Sequence, residues 1–458
     1  MDFSDFLNKY EPYKRITANL DKTPISVAGV VESAQSQLIY ALTKSNKQPS
    51  VVVTYSDMEA RALYNDLNFY TDNAVYFPSK EYVFYNIDTT DHENVYKRLA
   101  ALYEIKNNNE CIVVASLDAL LQYTIDKKYF TVGITLSVGS CAEISELTEK
   151  LIILGYSRED MVENAGQFSV RGGILDVFLP NEENPFRIEF FDNETDSIRS
   201  FDATTQRSMD KLDNIRIIPA TESVMEDITR ENITNDIKKL IKNEKAKKTP
   251  NTDFINALNT DLDNFTERRY FPAIDKYISK LYGGKITSAL EYLTSSGLVF
   301  IIDPKRIAER GKTFETECAE TAAELAEKGI IKNAKERFFV SYADFINIAK
   351  DRRVISIDTR SHSKTDFDYK YLETFTTKTT ISFHGKVEYL YESLEEWQKD
   401  GYTSVILASS RGRGENLAGV LNERGIDSKF LSDREEIREG KTSIVRGNLN
   451  KGFEYPEI

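Results

Sequence analysis

Between residues 20 and 125 short apolar runs alternate with stretches of helical spacing, and this rhythm restricts the fold more than any other feature of the chain. Residues 25–29, 51–54, 75–77 and 112–115 read as short strands. Helical stretches come between them: residues 35–42, a helix carrying Met58, Leu63 and Leu67 on one side, another with Val95, Leu99, Leu102 and Ile105, and one near residues 117–123. Strands alternating with helices imply a parallel sheet covered by helices, because a parallel connection needs a crossover long enough to hold one.

The rhythm breaks near residue 126. Ile144, Leu147 and Leu151 mark one amphipathic helix, and residues 166–207 then run GQFSVRGGILDVFLPNEENPFRIEFFDNETDSIRSFDATTQR. That stretch reads as strand, glycine break, strand, polar turn and hairpin. Phe168 and Val170 share one parity and Leu175 and Val177 the other, so the phase flips across Gly172-Gly173, where a bulge or sharp bend is easiest. In the next strand Ile188 and Phe190 face a core, which leaves Arg187, Glu189 and Phe191 on the other face. An aromatic beside an arginine on a small sheet is the composition of a protein-binding hot spot. The same pattern arises when the aromatic packs against a neighbouring layer and the arginine is a solvated charge.

A strand at residues 215–219 is expected to return to the first domain. Ile233, Ile237 and Leu240 then share a helix face, the lysines between Lys238 and Lys248 decorate its solvated side, and Pro250 ends it. Residues 298–302 and 354–357 are further buried-type strands, and residues 359–368 (TRSHSKTDFD) have linker composition. A second βα rhythm follows: Val387, Leu390, Leu394 and Trp397 on one helix face, a strand at 405–408, and a helix through Leu417 and Leu421. The expected domains are 1–126, an insert 127–214, a return segment 215–358, and a small domain 369–458. The chain stops at Ile458 soon after Lys451-Gly452-Phe453, which reads as a fragment of a longer protein.

Composition excludes several function classes. The 458 residues, 41% hydrophobic and 29% charged, suit about three globular domains. No apolar run approaches the roughly 20 residues of a membrane span, and the N-terminus lacks the basic and apolar regions of a signal peptide. No membrane partner is expected. Cys111, Cys141 and Cys318 are too scattered for a disulfide framework or a metal site, so a reducing cytoplasm is the expected compartment. His92, His362 and His384 form no ligand cluster and read as surface or helix-cap residues. A net charge of −14 opposes a surface made wholly for nucleic acid.

The first strand leads into Gly29-Val30-Val31-Glu32-Ser33-Ala34-Gln35-Ser36, the frame of the phosphate loop GxxxxGK[ST]. Such a loop needs glycine where backbone wraps the phosphates, lysine to neutralise them, and a hydroxyl for magnesium. Ala34 replaces the second glycine, Gln35 replaces the lysine, and Glu32 would set a carboxylate against the phosphates with no nearby cation to offset it. Gly29 and Ser36 alone survive. No cofactor, metal or catalytic constellation is expected. Arg411-Gly412-Arg413-Gly414 follows a strand and either cradles a phosphate or opens the helix that holds Leu417.

The wording RGGILDVF, RIEFF and SIRSFD…TQRS resembles the second domain of the bacterial transcription-repair coupling factors and the matching domain of the excision-repair protein UvrB. The resemblance is specific over about forty residues and extends more weakly over nearly the whole chain. It implies an α/β fold: a degenerate helicase-like, P-loop-type parallel-sheet domain, an inserted α+β domain, and a small α/β domain. In UvrB the phosphate loop is intact. The family's second motif would fall at residues 299–304, where Pro304 stands in for the water-activating glutamate. Loss of ATP hydrolysis is a property that the coupling factors have in their N-terminal module.

What the resemblance implies is an adaptor fragment that recruits the damage-recognition ATPase UvrA to stalled RNA polymerase through its second domain. Arg171, Arg187 and Phe191 are the contacts carried over, with Arg199 a neighbour. RNA polymerase and double-stranded DNA would be bound only by regions absent from this chain. The role of the small domain is not readable. Two other readings compete. A UvrB-type helicase subunit would bind nucleotide and damaged DNA and grip the latter with an aromatic hairpin, for which Tyr82, Phe84 and Tyr85 are the nearest residues. A DNA-binding module without nucleotide would show salt-dependent DNA retention.

Overall fold

The computed structural model describes residues 3–82, 84, 92–131, 133–267, 271–281, 285, 287–332, 335, 337–381, 383, 385–432 and 437–458. Tyr85 and His384 lie outside them. Seven parallel strands form the large sheet, in the order Tyr371–Thr374, Ile25–Ala28, Arg353–Asp358, Leu298–Ile302, Ser50–Thr54, Ile112–Ser116 and Ala74–Phe77.

Alternation divides this sheet between two cores. Val52, Val114, Phe300, Ile355 and Ile357 face helices Glu11–Thr17, Glu32–Asn46 and Asp57–Leu67. Val51, Val53, Val113, Ile301 and Val354 face the other layer, which includes helices Glu93–Asn107, Pro304–Glu327 and Tyr342–Lys350. Both faces are covered, so the strands are apolar on both parities. Met58, grouped with Leu63 and Leu67 by spacing, points outward at 74% exposure, and Ala60 takes the inward place.

The insert is an α+β unit with a six-stranded sheet: Ser208–Leu212, Glu194–Phe201, Phe186–Phe191, Ile174–Val177, Gln167–Arg171 and Ser157–Arg158. Its neighbours pair antiparallel except the last two. Helix Ile144–Ile153 contributes Leu147 and Leu151 to the core shared with Phe168, Leu175, Ile188, Phe190 and Ile198. The parity flip at Gly172-Gly173 is a two-residue hairpin turn, with Arg171 opposite Ile174 and Gly172 at φ +60°.

Two expected boundaries need correction. Strand Asn214–Ile217 does not return to the large sheet. It pairs antiparallel with Ile134–Ser137, and Ile215 and Ile217 are buried in the insert's own core. Tyr371–Thr374, placed by composition in the small domain, is the edge strand of the large sheet beside Ile25–Ala28. His362 ties the two together: its Nδ1 lies 2.7 Å from Ser26 Oγ and its Nε2 3.4 Å from Thr374 Oγ1.

Three parallel strands, Ser404–Ala408, Thr442–Arg446 and Ser428–Phe430, pack with helices Val387–Lys399 and Arg411–Glu423 in a separate small core. The Arg411-Gly412-Arg413-Gly414 run forms the first turn of the second helix, capped by Ser410. Gly414 is needed for packing, because a Cβ there would meet the Phe430 ring at 2.3 Å. No helix among the described residues is long and apolar enough to cross a membrane.

Candidate functional site

The sheet of the insert has one buried and one open face. Ile188 and Phe190 are 0% and 9% exposed, whereas Phe191 is 80% exposed, the highest value for a large apolar side chain among the described residues. Alternation along Phe186–Phe191 causes this, and the turn at Asp192-Asn193 (Asp192 φ +55°) ends the strand straight after Phe191. Ile174 and Met209, also exposed, extend the apolar part of the open side.

The four residues singled out by sequence are neighbours on this sheet. Arg187 and Phe191 lie four positions apart on one strand and share a parity, about 13 Å along it. Arg199 is directly opposite Arg187, and Arg171 is opposite Ile174, which is opposite Glu189. Their chemical states differ. Arg171 is exposed and donates to the Asp160 backbone oxygen at 3.1 and 2.7 Å. Arg199 donates to Glu189 at 3.2 Å.

Arg187 is not the solvated fork that parity suggests. It donates to both carboxylate oxygens of Asp176 at 2.8 Å and to Gln206 Oε1 at 3.3 Å, and its guanidinium stacks 4.6 Å from the Phe201 ring centre. Its side chain is 20% exposed and that of Asp176 4%. The hydrogen bonds to Asp176 hold its pKa above the ordinary arginine value. Arg187 therefore spends its bidentate geometry inside the sheet and orders the face around it. Asp176 was missed from sequence, although an acid within the apolar run Ile174-Leu175-Asp176-Val177 is the signal that a buried cation partner exists.

The degenerate phosphate loop is packed shut. Gly29 sits at φ +78°, and a Cβ on it would lie 2.0 Å from the Phe375 carbonyl oxygen. Two amides that a phosphate would need are engaged: Val30 N–H by the Asp358 oxygen at 3.3 Å, and Val31 N–H by Thr377 Oγ1 at 2.8 Å. Ser33 Oγ donates to the Gly452 oxygen at 3.1 Å, and Ala34, Gln35 and Ser36 are buried in the first turns of the helix. A cation does offset Glu32: Lys451 Nζ lies 3.6 Å from its carboxylate. At the second motif, Asp303 has φ +52°, lies 3.6 Å from Arg306, and precedes the buried Pro304 that starts a helix.

This packing yields a prediction. Restoring the loop's residues by Ala34→Gly with Gln35→Lys is expected not to restore nucleotide binding, because Thr377 and Asp358 still hold the amides. Titration with a fluorescent ATP analogue checks it, and saturable binding by the double variant would sink the idea of a packed-shut loop.

Tyr82 and Phe84 do not form a projecting grip. Phe84 is 9% exposed and packs edge-on against Phe338 at 4.9 Å, in a cluster with Ala322, Leu325 and Ile331. Among the described residues no group of His, Cys, Asp and Glu side chains could hold a metal ion.

Comparisons with known proteins converge on the same region. Residues 134–222 match the family model described as the UvrB interaction domain. The match runs past residue 214, in keeping with the burial of Ile215, Ile217 and Ala220 in the insert's core. The transcription-repair-coupling factor of Bacillus subtilis is 29% identical over 440 residues, covering 94% of this chain and 37% of its own length. That of Staphylococcus haemolyticus is 25% identical over 460 residues, 99% of this chain and 39% of its own. The resemblance to this family read from the sequence is thus borne out, and the chain spans less than two fifths of the length of these curated relatives.

Proposed function

We propose that this chain acts as a docking adaptor of transcription-coupled nucleotide excision repair, recruiting UvrA to stalled RNA polymerase through the open face of its inserted sheet. The observation that carries the reading is Phe191, 80% exposed within the stretch that matches the UvrB interaction domain. A large aromatic held in water by a rigid hairpin, with Ile174 and Met209 near and arginines beside it, has the make-up of an interface anchor. Arg171 and Arg199 supply rim charges, and Arg187 fixes the surface they stand on.

The chain works without ATP hydrolysis in this reading. The filled loop at Gly29 and the missing lysine and glutamate support it, and the packed state of Phe84 counts against the helicase-subunit alternative. The domains follow as a helicase-like scaffold, the insert, and a small α/β unit whose sheet begins at Ser404.

Calorimetry with purified UvrA tests the proposal. The unmodified chain is expected to bind, and Phe191→Ala to weaken binding by about 2 kcal/mol or more, roughly 30-fold. Its melting temperature should not move, since the ring is exposed. Equal affinity of both proteins would remove Phe191 from the interface.

A further inference from the structure

The edge of the large sheet opposite Gly29 holds a second feature. Gly29 follows the carboxyl end of its strand, the edge where open α/β sheets ordinarily bind ligands. At the amino-terminal edge, where Pro49 precedes Ser50–Thr54 and Asn109 precedes Ile112–Ser116, lies a cleft of about 610 Å³. Lys106 from the last turn of helix Glu93–Asn107 lines it, with Lys127 and Lys128 from the segment that enters the insert. Ile105 and Tyr292 give it an apolar wall.

Its charge is opposite to that of the chain, which carries −14. Three lysines line the cleft against one carboxylate, Asp126, which is occupied as an acceptor of the Lys128 backbone N–H at 2.9 Å. Lys128 pairs with Glu226 at 2.9 Å, and Lys127 reaches only a backbone oxygen, that of Glu291, at 3.5 Å, besides its other interactions. Arg216 adds a fourth charge: burial, then Arg216 and Lys127, hold the Lys106 ammonium below its ordinary pKa. Cations gathered until they repel one another are relieved by a bound anion.

We propose that this cleft binds a small polyphosphate anion, with Lys106 and Lys127 as its main cationic contacts. Lysine serves phosphate as a point charge, and the volume falls in the range of about 300–1,000 Å³ typical of small-ligand sites. A nucleic-acid strand would instead call for a cationic groove with stacking aromatics along it.

Calorimetry at low salt with inorganic tripolyphosphate and with ADP tests the proposal on the whole chain. Both are expected to bind, and Lys106→Glu with Lys127→Glu to weaken each at least tenfold. Tighter binding of ADP than of tripolyphosphate would place its ring against the apolar wall and identify a nucleotide as the ligand. Both lysines are exposed, so circular dichroism should be unchanged; if the glutamate pair fails to fold, the glutamine pair gives the same reading. The proposal falls if neither anion binds, if binding is the same in the variants, or if only a single-stranded oligonucleotide is retained.

Discussion

Arg98→Ala is expected to cost about 3–5 kcal/mol of stability, the usual effect of removing one partner from a buried ion pair. Arg98 is 0% exposed and grips Glu222 at 2.9 and 3.1 Å. It also donates to the backbone oxygens of Pro78, Ala119 and Tyr123 at 3.0, 3.2 and 3.3 Å, and lies 4.2 Å from the Phe77 ring centre. Truncation strands Glu222 in the core with Thr124 and Lys80 as its remaining partners, and leaves three carbonyls short of a donor. Since a domain is stable by only about 5–15 kcal/mol, the loss is a large fraction of the whole.

The same network sets an acid limit. Burial pushes the Glu222 carboxyl up, but the Arg98 and Lys80 charges and the hydrogen bonds from Arg98 and Thr124 outweigh it and leave the pKa below the ordinary 4.5. A depressed carboxyl stabilises the fold fully above the unfolded-state value and loses that contribution as pH falls through the folded one. Urea unfolding at pH 7 and below pH 4.5 checks both points. Arg98→Ala should lower the midpoint sharply at pH 7, and Glu222→Gln should lose less stability than the parent on acidification. A midpoint shift worth under about 1 kcal/mol for Arg98→Ala would mean that water or relaxation replaces the network.

The location gives this network a meaning beyond stability. Glu222 is where the family match ends, so the ion pair fastens the chain leaving the insert to helix Glu93–Asn107 of the main sheet. The Tyr96 hydroxyl, one turn earlier on that helix, donates to the Ala165 oxygen at 3.0 Å. One helix thus touches both the insert's first loop and its exit, which fixes how the docking face is carried.

Periodicity carried the sequence reading where structure is local. The strands at 51–54 and 112–115 and the alternation of Arg187 to Phe191 follow from side-chain spacing, which the sheets then obey. Partners far away in the chain leave no such trace. Thr377 closes the phosphate loop from 346 positions downstream of Val31. Nothing local in a polar, linker-like stretch marks Tyr371–Thr374 as an edge strand of a sheet begun at Ile25. Asn214–Ile217 fitted either sheet by pattern, and only its pairing with Ile134–Ser137 decided between them. Of the four docking residues, parity identified the face, but Arg187's engagement with Asp176 depends on cross-strand register, which spacing does not fix.

That engagement changes what an Arg187 variant can report. Arg187→Glu is expected to destabilise the insert by about 2–4 kcal/mol, within the range for breaking a largely desolvated, bidentate pair, with the partial exposure of Arg187 reducing the cost. The substitution sets a second carboxylate against the nearly buried Asp176 and uncovers Phe201, which is 0% exposed. Loss of UvrA binding by this variant would therefore mix a broken contact with a disordered face. A double-mutant cycle of Arg187→Ala and Asp176→Ala separates the two effects. If Arg187 only positions the sheet, Asp176→Ala should weaken UvrA binding as much as Arg187→Ala, and the pair together no more than either alone. If Arg187 touches UvrA directly, Arg187→Ala should weaken binding in the Asp176→Ala background as well, and thermal melts of the four proteins will not track their affinities. The bidentate geometry at 2.8 Å favours the first result, which would leave Phe191, and not the arginine beside it, as the residue whose loss costs affinity without costing the fold.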